Sequence, residues 1–170
     1  MTSTHLEAAE GGQTLAAVLE AQRDITRQLL GVARRQQQAI IEGDVEGLTA
    51  SVDESQIFLE HLQALETERM TALVAIAMAT GVDADRATLS DIAAALPAES
   101  AEAVRRSGQA LRAEATALQE AEAVNQHLLE GSRALVDRWV NYLRTVLAGG
   151  VYTPAGGTAA HGGRTLDRSA

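Results

Sequence analysis

The sequence predicts an all-α protein: an elongated antiparallel bundle of three long helices, with one short connecting helix and a flexible C-terminal tail. Hydrophobic residues make up 46% of the 170 residues, and a count gives 33 alanines and 20 leucines, both strong helix formers. Aromatic residues, which β-sheets favour, make up only 2%. Pro97 and Pro154 are the only prolines, so very long stretches contain no helix breaker.

The first long helix is predicted after a polar N-terminus. Residues 1–12 end in two consecutive glycines, and we expect them to be disordered. The helical domain is predicted over residues 13–149. Its first helix is predicted because apolar residues recur at steps of three and four from Leu15 to Ile40, which puts them on one face of a helix. The sequence Glu42-Gly43-Asp44 ends this helix, because glycine favours a C-terminal position and Asp44 can cap the next helix.

The second helix is predicted from a stripe that runs from Leu48 to Ile76 and ends at Gly81. Its length is about 50 Å at about 1.5 Å per residue. The short connection to the first helix makes the two helices antiparallel neighbours. A short helix follows at Leu89–Leu96, capped by Thr88 or Ser90 and ended by the proline that comes next.

The third long helix is predicted from a stripe between Val104 and Val146, with Gly149-Gly150 at its end. Polar residues interrupt all three stripes. Interior glycines weaken each helix by about 1 kcal/mol relative to alanine, so we expect a modestly stable bundle that can open; these are Gly31, Gly47, Gly108 and Gly131. Residues 150–170 lose all periodicity and are rich in glycine, which predicts a flexible tail.

Composition and charge exclude several classes of protein. The chain has no cysteine, which excludes disulfide scaffolds and thiolate metal sites. Its net charge is -9, with 14 arginines and no lysine, and no basic run exceeds two residues, so nucleic-acid binding is not expected. The best apolar run, Leu73–Ala79, is too short for membrane insertion. No secretory signal is recognisable, so we expect a soluble cytoplasmic protein.

Signatures of catalysis are absent from the sequence. Neither a phosphate-binding loop nor a dinucleotide fingerprint occurs, and the four histidines do not form a metal-binding pattern. We therefore expect no enzyme activity, no cofactor and no metal site. His61 and His127 lie within predicted helices and are the candidates for a phosphoryl-accepting histidine, although a solvated surface histidine is the more common case.

The scarce aromatic residues concentrate near the C-terminus. Trp139 and Tyr142 lie in the last turns of the third helix, and Tyr152 follows in the tail. Aromatic side chains are frequent anchors in binding interfaces, because one rigid side chain buries a large area. An imperfect bundle can also expose an apolar groove for an amphipathic helix. These features favour a protein that binds a partner.

Two segments carry a resemblance to a known family. Residues 125–131, Asn-Gln-His-Leu-Leu-Glu-Gly, followed by a helix and then Val-Tyr-Thr-Pro-Ala-Gly-Gly at 151–157, resemble the FlgN-type flagellar export chaperones. Ile40-Ile41-Glu42-Gly43-Asp44 and Leu65-Glu66 followed by Arg69 are similar to the first hairpin of that family. The sequence departs from the family pattern at Thr153-Pro154, where glycine is usual after the tyrosine.

The resemblance implies a cytoplasmic type III export chaperone for the hook–filament junction proteins. Such a chaperone binds the amphipathic terminal helix of a hook-associated protein, prevents premature assembly and delivers the cargo to the export apparatus. On this basis Tyr152 is the expected contact to the export gate. The cargo-binding residues are expected on the apolar face of the last helix: Leu128, Leu129, Leu135, Val136, Trp139, Tyr142, Leu143 and Val146.

Two other functions remain open from the sequence. The amphipathic stripes also permit a structural coiled-coil adaptor, or a homodimer, that carries no cargo. A histidine-phosphotransfer bundle that uses His61 or His127 is the second alternative. A constitutive dimer in solution without cargo affinity would favour the adaptor over a chaperone. The phosphotransfer function would be excluded if neither histidine accepts phosphate from a response regulator.

Overall fold

The computed structural model describes residues 2–83 and 86–147 and consists of four helices in this part of the chain. They are α1 (Thr2–Glu42), α2 (Val45–Thr80), α3 (Leu89–Ala95) and α4 (Ala98–Leu147). No strand occurs among these residues, so the all-α prediction is confirmed. The chain divides into two compact units, Met1–Ser132 (unit 1) and Arg133–Ala170 (unit 2). The predicted tail, residues 150–170, lies outside the described residues.

The predicted C-terminal ends of α1 and α2 agree with the structure. Gly43 adopts a positive φ of 71° directly after α1, and the Asp44 side chain accepts a hydrogen bond from the backbone N–H of Gly47 at 2.9 Å. Gly81 adopts a φ of 75° and donates its backbone N–H to the carbonyl of Ala77 at the end of α2. Both glycines occupy the left-handed conformation that other residues rarely adopt.

The short helix α3 begins with a reciprocal cap. The Thr88 hydroxyl accepts a hydrogen bond from the backbone N–H of Asp91, and the Asp91 carboxylate accepts one from the backbone N–H of Thr88 at 2.8 Å. Hydrogen bonds from the Thr88 hydroxyl and backbone lower the pKa of Asp91 below its ordinary value. The prediction of a capped short helix before Pro97 is therefore confirmed, with Thr88 as the cap.

Within unit 1, α1 and α2 are antiparallel. The Gln22 amide donates a hydrogen bond to the Glu66 carboxylate at 3.3 Å, and Gln36 donates one to the Ser55 hydroxyl at 3.2 Å. As the residue number in α1 rises from 22 to 36, the number of the bonded residue in α2 falls from 66 to 55, so the helices run in opposite directions. The short connection at residues 43–44 enforces this arrangement, as the sequence predicted.

Helix α4 runs parallel to α1 within unit 1. The Ser100 hydroxyl donates a hydrogen bond to the carbonyl of Ala9 at 3.1 Å, and Arg27 donates one to the Glu114 carboxylate at 2.9 Å. Further along both helices, the Asn125 amide donates to the carbonyl of Ala33 at 2.8 Å. The numbers rise together in all three pairs, so α1 contacts both other long helices of the bundle.

The N-terminal residues form regular helix, so the prediction that residues 1–12 are disordered is wrong for the described residues 2–12. Ala8, Gly11 and Gly12 are buried. A Cβ atom on Gly12 would lie 2.7 Å from Ser100 Cβ, and one on Gly11 would lie 2.9 Å from Ile76 Cγ1. The two glycines therefore allow close contact with neighbouring helices, and this packing outweighs their weak helix propensity.

The apolar core of unit 1 is concentrated in one half of the bundle, which we call the core half (residues 2–21, 72–83 and 86–107). One cluster of buried side chains joins all four helices there, with Leu15, Ile76, Ile92 and Val104 each at most 4% exposed. Helix α3 covers this half. Its residue Leu89 lies so close to Gly108 that a Cβ atom on Gly108 would overlap the Leu89 side chain. Gly108 is thus a packing position as well as a helix-weakening one.

The remaining part of unit 1, the polar half (residues 22–71 and 108–132), is packed differently. Helix α1 still buries apolar residues there, among them Leu29 and Val32. In the same half, Ser51 is the only buried residue of α2 and Asn125 the only buried residue of α4. The predicted stripe of α2 is therefore only partly a core stripe, since Leu59 on it is 51% exposed.

Among the described residues, no helix combines the length and the hydropathy required to span a membrane.

Candidate functional site

The described residues of unit 2 form the last turns of α4, and their apolar side chains are exposed. Every residue from 133 to 144 is exposed to solvent. Six of these twelve are large and apolar, with exposed fractions between 38% and 60%; they are Leu135, Val136, Trp139, Val140, Tyr142 and Leu143. Exposed apolar side chains in such density are typical of interaction surfaces rather than of ordinary protein surface.

Trp139 and Tyr142 form the aromatic centre of this segment. They are three residues apart on the helix, which places them on neighbouring turns. Their ring centroids are 6.0 Å apart with an interplanar angle of 89°, an edge-to-face arrangement. A shallow cavity of about 340 Å³ is lined by both rings together with Leu135 and Arg138. The pair thus forms an exposed aromatic surface.

The charge of this segment differs from that of the whole chain. Residues 133–144 contain three arginines (Arg133, Arg138 and Arg144) and one aspartate (Asp137), which gives 3 - 1 = +2, whereas the chain carries -9. Arg133 lies 4.0 Å from Asp137, a long and exposed ion pair that contributes little to stability. The segment therefore offers cationic groups beside apolar ones.

The structure describes most of the cargo-binding residues expected from the sequence. Leu135, Val136, Trp139, Tyr142 and Leu143 are exposed within unit 2. In unit 1, Leu129 is 47% exposed and Leu128 is half-buried. The side chain of Val146 and the whole of Tyr152 lie outside the described residues.

Two residues of the segment were missed by the sequence analysis. Val140 is exposed beside the expected residues, and Arg138 lines the cavity at the two aromatic rings. The steps of four and three from Val136 to Val140 to Leu143 would have identified the first. Nothing in the pattern distinguishes Arg138 from the other arginines, because its position depends on the conformation of the rings.

Residues considered for chemistry are separate from one another. His61 and His127 are both exposed. Within the described ranges, no group of three or more histidine, cysteine, aspartate or glutamate residues could hold a metal ion.

Comparison with known proteins assigns the family. A family model described as "FlgN protein" matches residues 11–160, which is most of the 170-residue chain. No curated protein and no solved structure matches the chain. The match includes α1 from residue 11 onward, the whole of α2, α3 and α4, and therefore all described residues of unit 2. The chain therefore belongs to the FlgN family of flagellar export chaperones.

Proposed function

We propose that the chain is a cytoplasmic export chaperone that binds the amphipathic terminal helix of a hook-associated protein along the last turns of α4. The observation that carries this proposal is the run of six exposed apolar side chains within residues 133–144. A cargo helix with an exposed apolar face aggregates or assembles prematurely unless that face is covered. Contact between the two apolar faces covers both.

Trp139 and Tyr142 are the proposed anchors of cargo binding. Aromatic residues dominate the binding energy of many interfaces. In the free protein Trp139 is 59% exposed and Tyr142 is 60% exposed. Leu135 and Leu143 extend the apolar surface on either side. The +2 charge of the segment suits a cargo helix with acidic residues along its edges, because opposite charges speed association and fix orientation.

The first test measures cargo affinity by calorimetry. A synthetic terminal helix of a hook-associated protein is titrated into the wild-type chain and into Trp139→Ala and Leu143→Ala. We expect a loss of about tenfold or more in affinity for each variant, with unchanged helicity. Leu59→Ala is the control, because Leu59 is exposed to a similar degree but lies in unit 1. Unchanged affinity in both α4 variants would refute the proposed cargo site.

We further propose that Tyr152 in the tail contacts the export gate. Residues 151–170 contain two arginines and one aspartate, so their charge of 2 - 1 = +1 also differs from that of the whole chain. Deletion after Gly150 should leave cargo affinity unchanged and reduce export in cells, and Tyr152→Ala should reproduce this loss. Normal export by the truncated chain would contradict the role of Tyr152.

A homodimer without cargo is the competing function, since the same exposed apolar side chains could pair with a second copy. Sedimentation of the purified chain distinguishes the two possibilities. A monomer that binds the cargo helix with a defined stoichiometry supports the chaperone. A dimer that Trp139→Ala dissociates, without measurable affinity for the cargo helix, supports the adaptor.

A further inference from the structure

A second surface suited to a partner lies in unit 1, far along the sequence from the proposed cargo site. A groove of about 750 Å³ lies between the N-terminal part of α1 and the C-terminal part of α2. Every residue that lines it belongs to one of these two helices. It is therefore separate from the contacts that α1 makes with α4, and none of the proposed cargo residues takes part in it. We call it the acidic groove.

The apolar lining of the acidic groove consists mostly of small residues, with one valine and one long flexible side chain. Gly11, Ala72, Ala75 and Ala79 line it together with Val18 and with Met78, which is 84% exposed. Small residues leave space for larger apolar side chains of a partner, while an exposed methionine adapts to different shapes. An apolar groove between two helices of this kind accepts the apolar face of a third helix.

The charges at the groove restrict the occupant. Glu7, Glu10 and Glu68 line it, and no arginine of the described part of the chain does. A second copy that bound symmetrically would bring both sets of glutamates into one interface, and like charges oppose such an interface. The net charge of -9 adds to this repulsion. A helix with arginine or lysine beside its apolar face would instead place opposite charges in contact.

We propose that the acidic groove binds an amphipathic helix of a partner protein that carries basic residues along the edges of its apolar face. The apolar side chains of this helix contact Ala72, Ala75 and Met78. Its basic side chains contact Glu10 and Glu68. This partner is different from the cargo helix, whose proposed site lies in α4.

The test uses two synthetic amphipathic helices of about 18 residues, identical except for their edges. One has arginine at the edges of an alanine and leucine face, and the other has glutamate there. Fluorescence anisotropy with the full chain should detect the arginine helix and not the glutamate helix. Ala75→Arg, which adds bulk and positive charge to the groove, should abolish the binding. The double variant Glu10→Gln, Glu68→Gln should weaken it by about tenfold at low salt.

Matched controls lie on exposed positions of α4 in unit 1. Ala123→Arg and the double variant Glu120→Gln, Glu122→Gln make the same chemical changes away from the groove. Both should bind the arginine helix like the wild type, and circular dichroism checks that all variants fold. Trp139→Ala should also leave this binding unchanged, which separates it from the cargo site.

Several outcomes would overturn the inference. Equal affinity of the groove variants and the controls would mean that the arginine helix binds elsewhere. Equal affinity of the two synthetic helices would mean that the glutamates do not select the partner. A wild-type dimer that Ala75→Arg converts to a monomer would identify a second copy of this chain as the occupant.

Discussion

The two halves of unit 1 bury different kinds of side chain between the same three long helices. In the core half, α2 buries Ala72, Leu73 and Ile76, and α4 buries Ala101 and Val104, against α1. In the polar half, α2 and α4 together bury only Ser51 and Asn125. Contacts to α1 there combine the apolar side chains that α1 itself buries, such as Val32, with side-chain hydrogen bonds and ion pairs, such as that between Arg35 and Glu54.

This difference indicates where the bundle is most stable. Burial of apolar surface contributes about 25 cal/mol per Å², whereas an exposed ion pair contributes less than about 1 kcal/mol. We therefore expect the polar half to be the less stable of the two, because α2 and α4 bury less apolar surface there. It also keeps Val52, Leu59 and Val124 exposed, so its helices have apolar surface that no neighbour covers.

The largest expected effect comes from core truncation. Ile76→Ala should lower the free energy of unfolding by about 2–5 kcal/mol, because Ile76 is 1% exposed and the cavity would remain partly empty. Leu59→Ala in the polar half should change it by less than about 0.5 kcal/mol. Urea denaturation followed by circular dichroism measures both. Similar losses in the two variants would contradict the division into halves.

Replacing a glycine with alanine should change the free energy of unfolding in opposite directions in the two halves. Gly12→Ala should destabilise unit 1 by about 1–3 kcal/mol, since its Cβ would lie 2.7 Å from Ser100 Cβ. The Cβ atom added by Gly131→Ala would have no atom within 4 Å, so this variant should be more stable by up to about 1 kcal/mol because alanine has the higher helix propensity. Thermal unfolding of the two variants compares them directly. A stabilising Gly12→Ala would disprove the close packing of α1.

Asn125 is expected to fix α4 on α1 in the polar half. Its amide donates to the Ala33 carbonyl, while its Oδ1 atom is buried without a partner. Asn125→Ala should cost about 1–2 kcal/mol, because the buried hydrogen bond between α4 and α1 is lost. Gln119→Ala removes an amide from an exposed position of the same helix and should leave the free energy of unfolding almost unchanged. Equal stabilities would show that Asn125 is not needed for this packing.

The smallest effect concerns pH. Hydrogen bonds from Arg69 lower the pKa of the Glu66 carboxyl below its ordinary value. A carboxyl whose folded pKa is lowered stabilises the protein above its unfolded pKa of about 4.3, and this contribution disappears as the pH falls through the folded value. Glu66→Gln should therefore be slightly less stable than the wild type at neutral pH and equal to it in acid. A difference that persists in acid would exclude this cause.

Local signals predicted the helix ends correctly. Gly43, Asp44, Gly81 and Thr88 each act where the sequence placed them, because caps and left-handed turns depend on a few neighbouring residues. Gly11 and Gly12 were interpreted by the same local rules, and the prediction failed. Their role depends on Ile76 and Ser100, which are distant in the sequence.

The periodic stripes predicted faces but not burial. Leu59 and Ile76 lie on the same predicted stripe of α2, yet one is 51% exposed and the other 1%. Burial requires an apolar neighbour on another helix, and periodicity within one helix contains no such information. For the same reason, the sequence identified Trp139 and Tyr142 as candidates without establishing that both are exposed.

The single tryptophan gives the most direct test of the proposed cargo site. Trp139 is the only tryptophan of the chain and is 59% exposed, so its fluorescence reports on that surface alone. Addition of a tryptophan-free cargo helix should shift the emission to shorter wavelength and protect the indole from a soluble quencher. If calorimetry detects cargo binding while the emission and quenching of Trp139 remain those of the free protein, the cargo binds elsewhere.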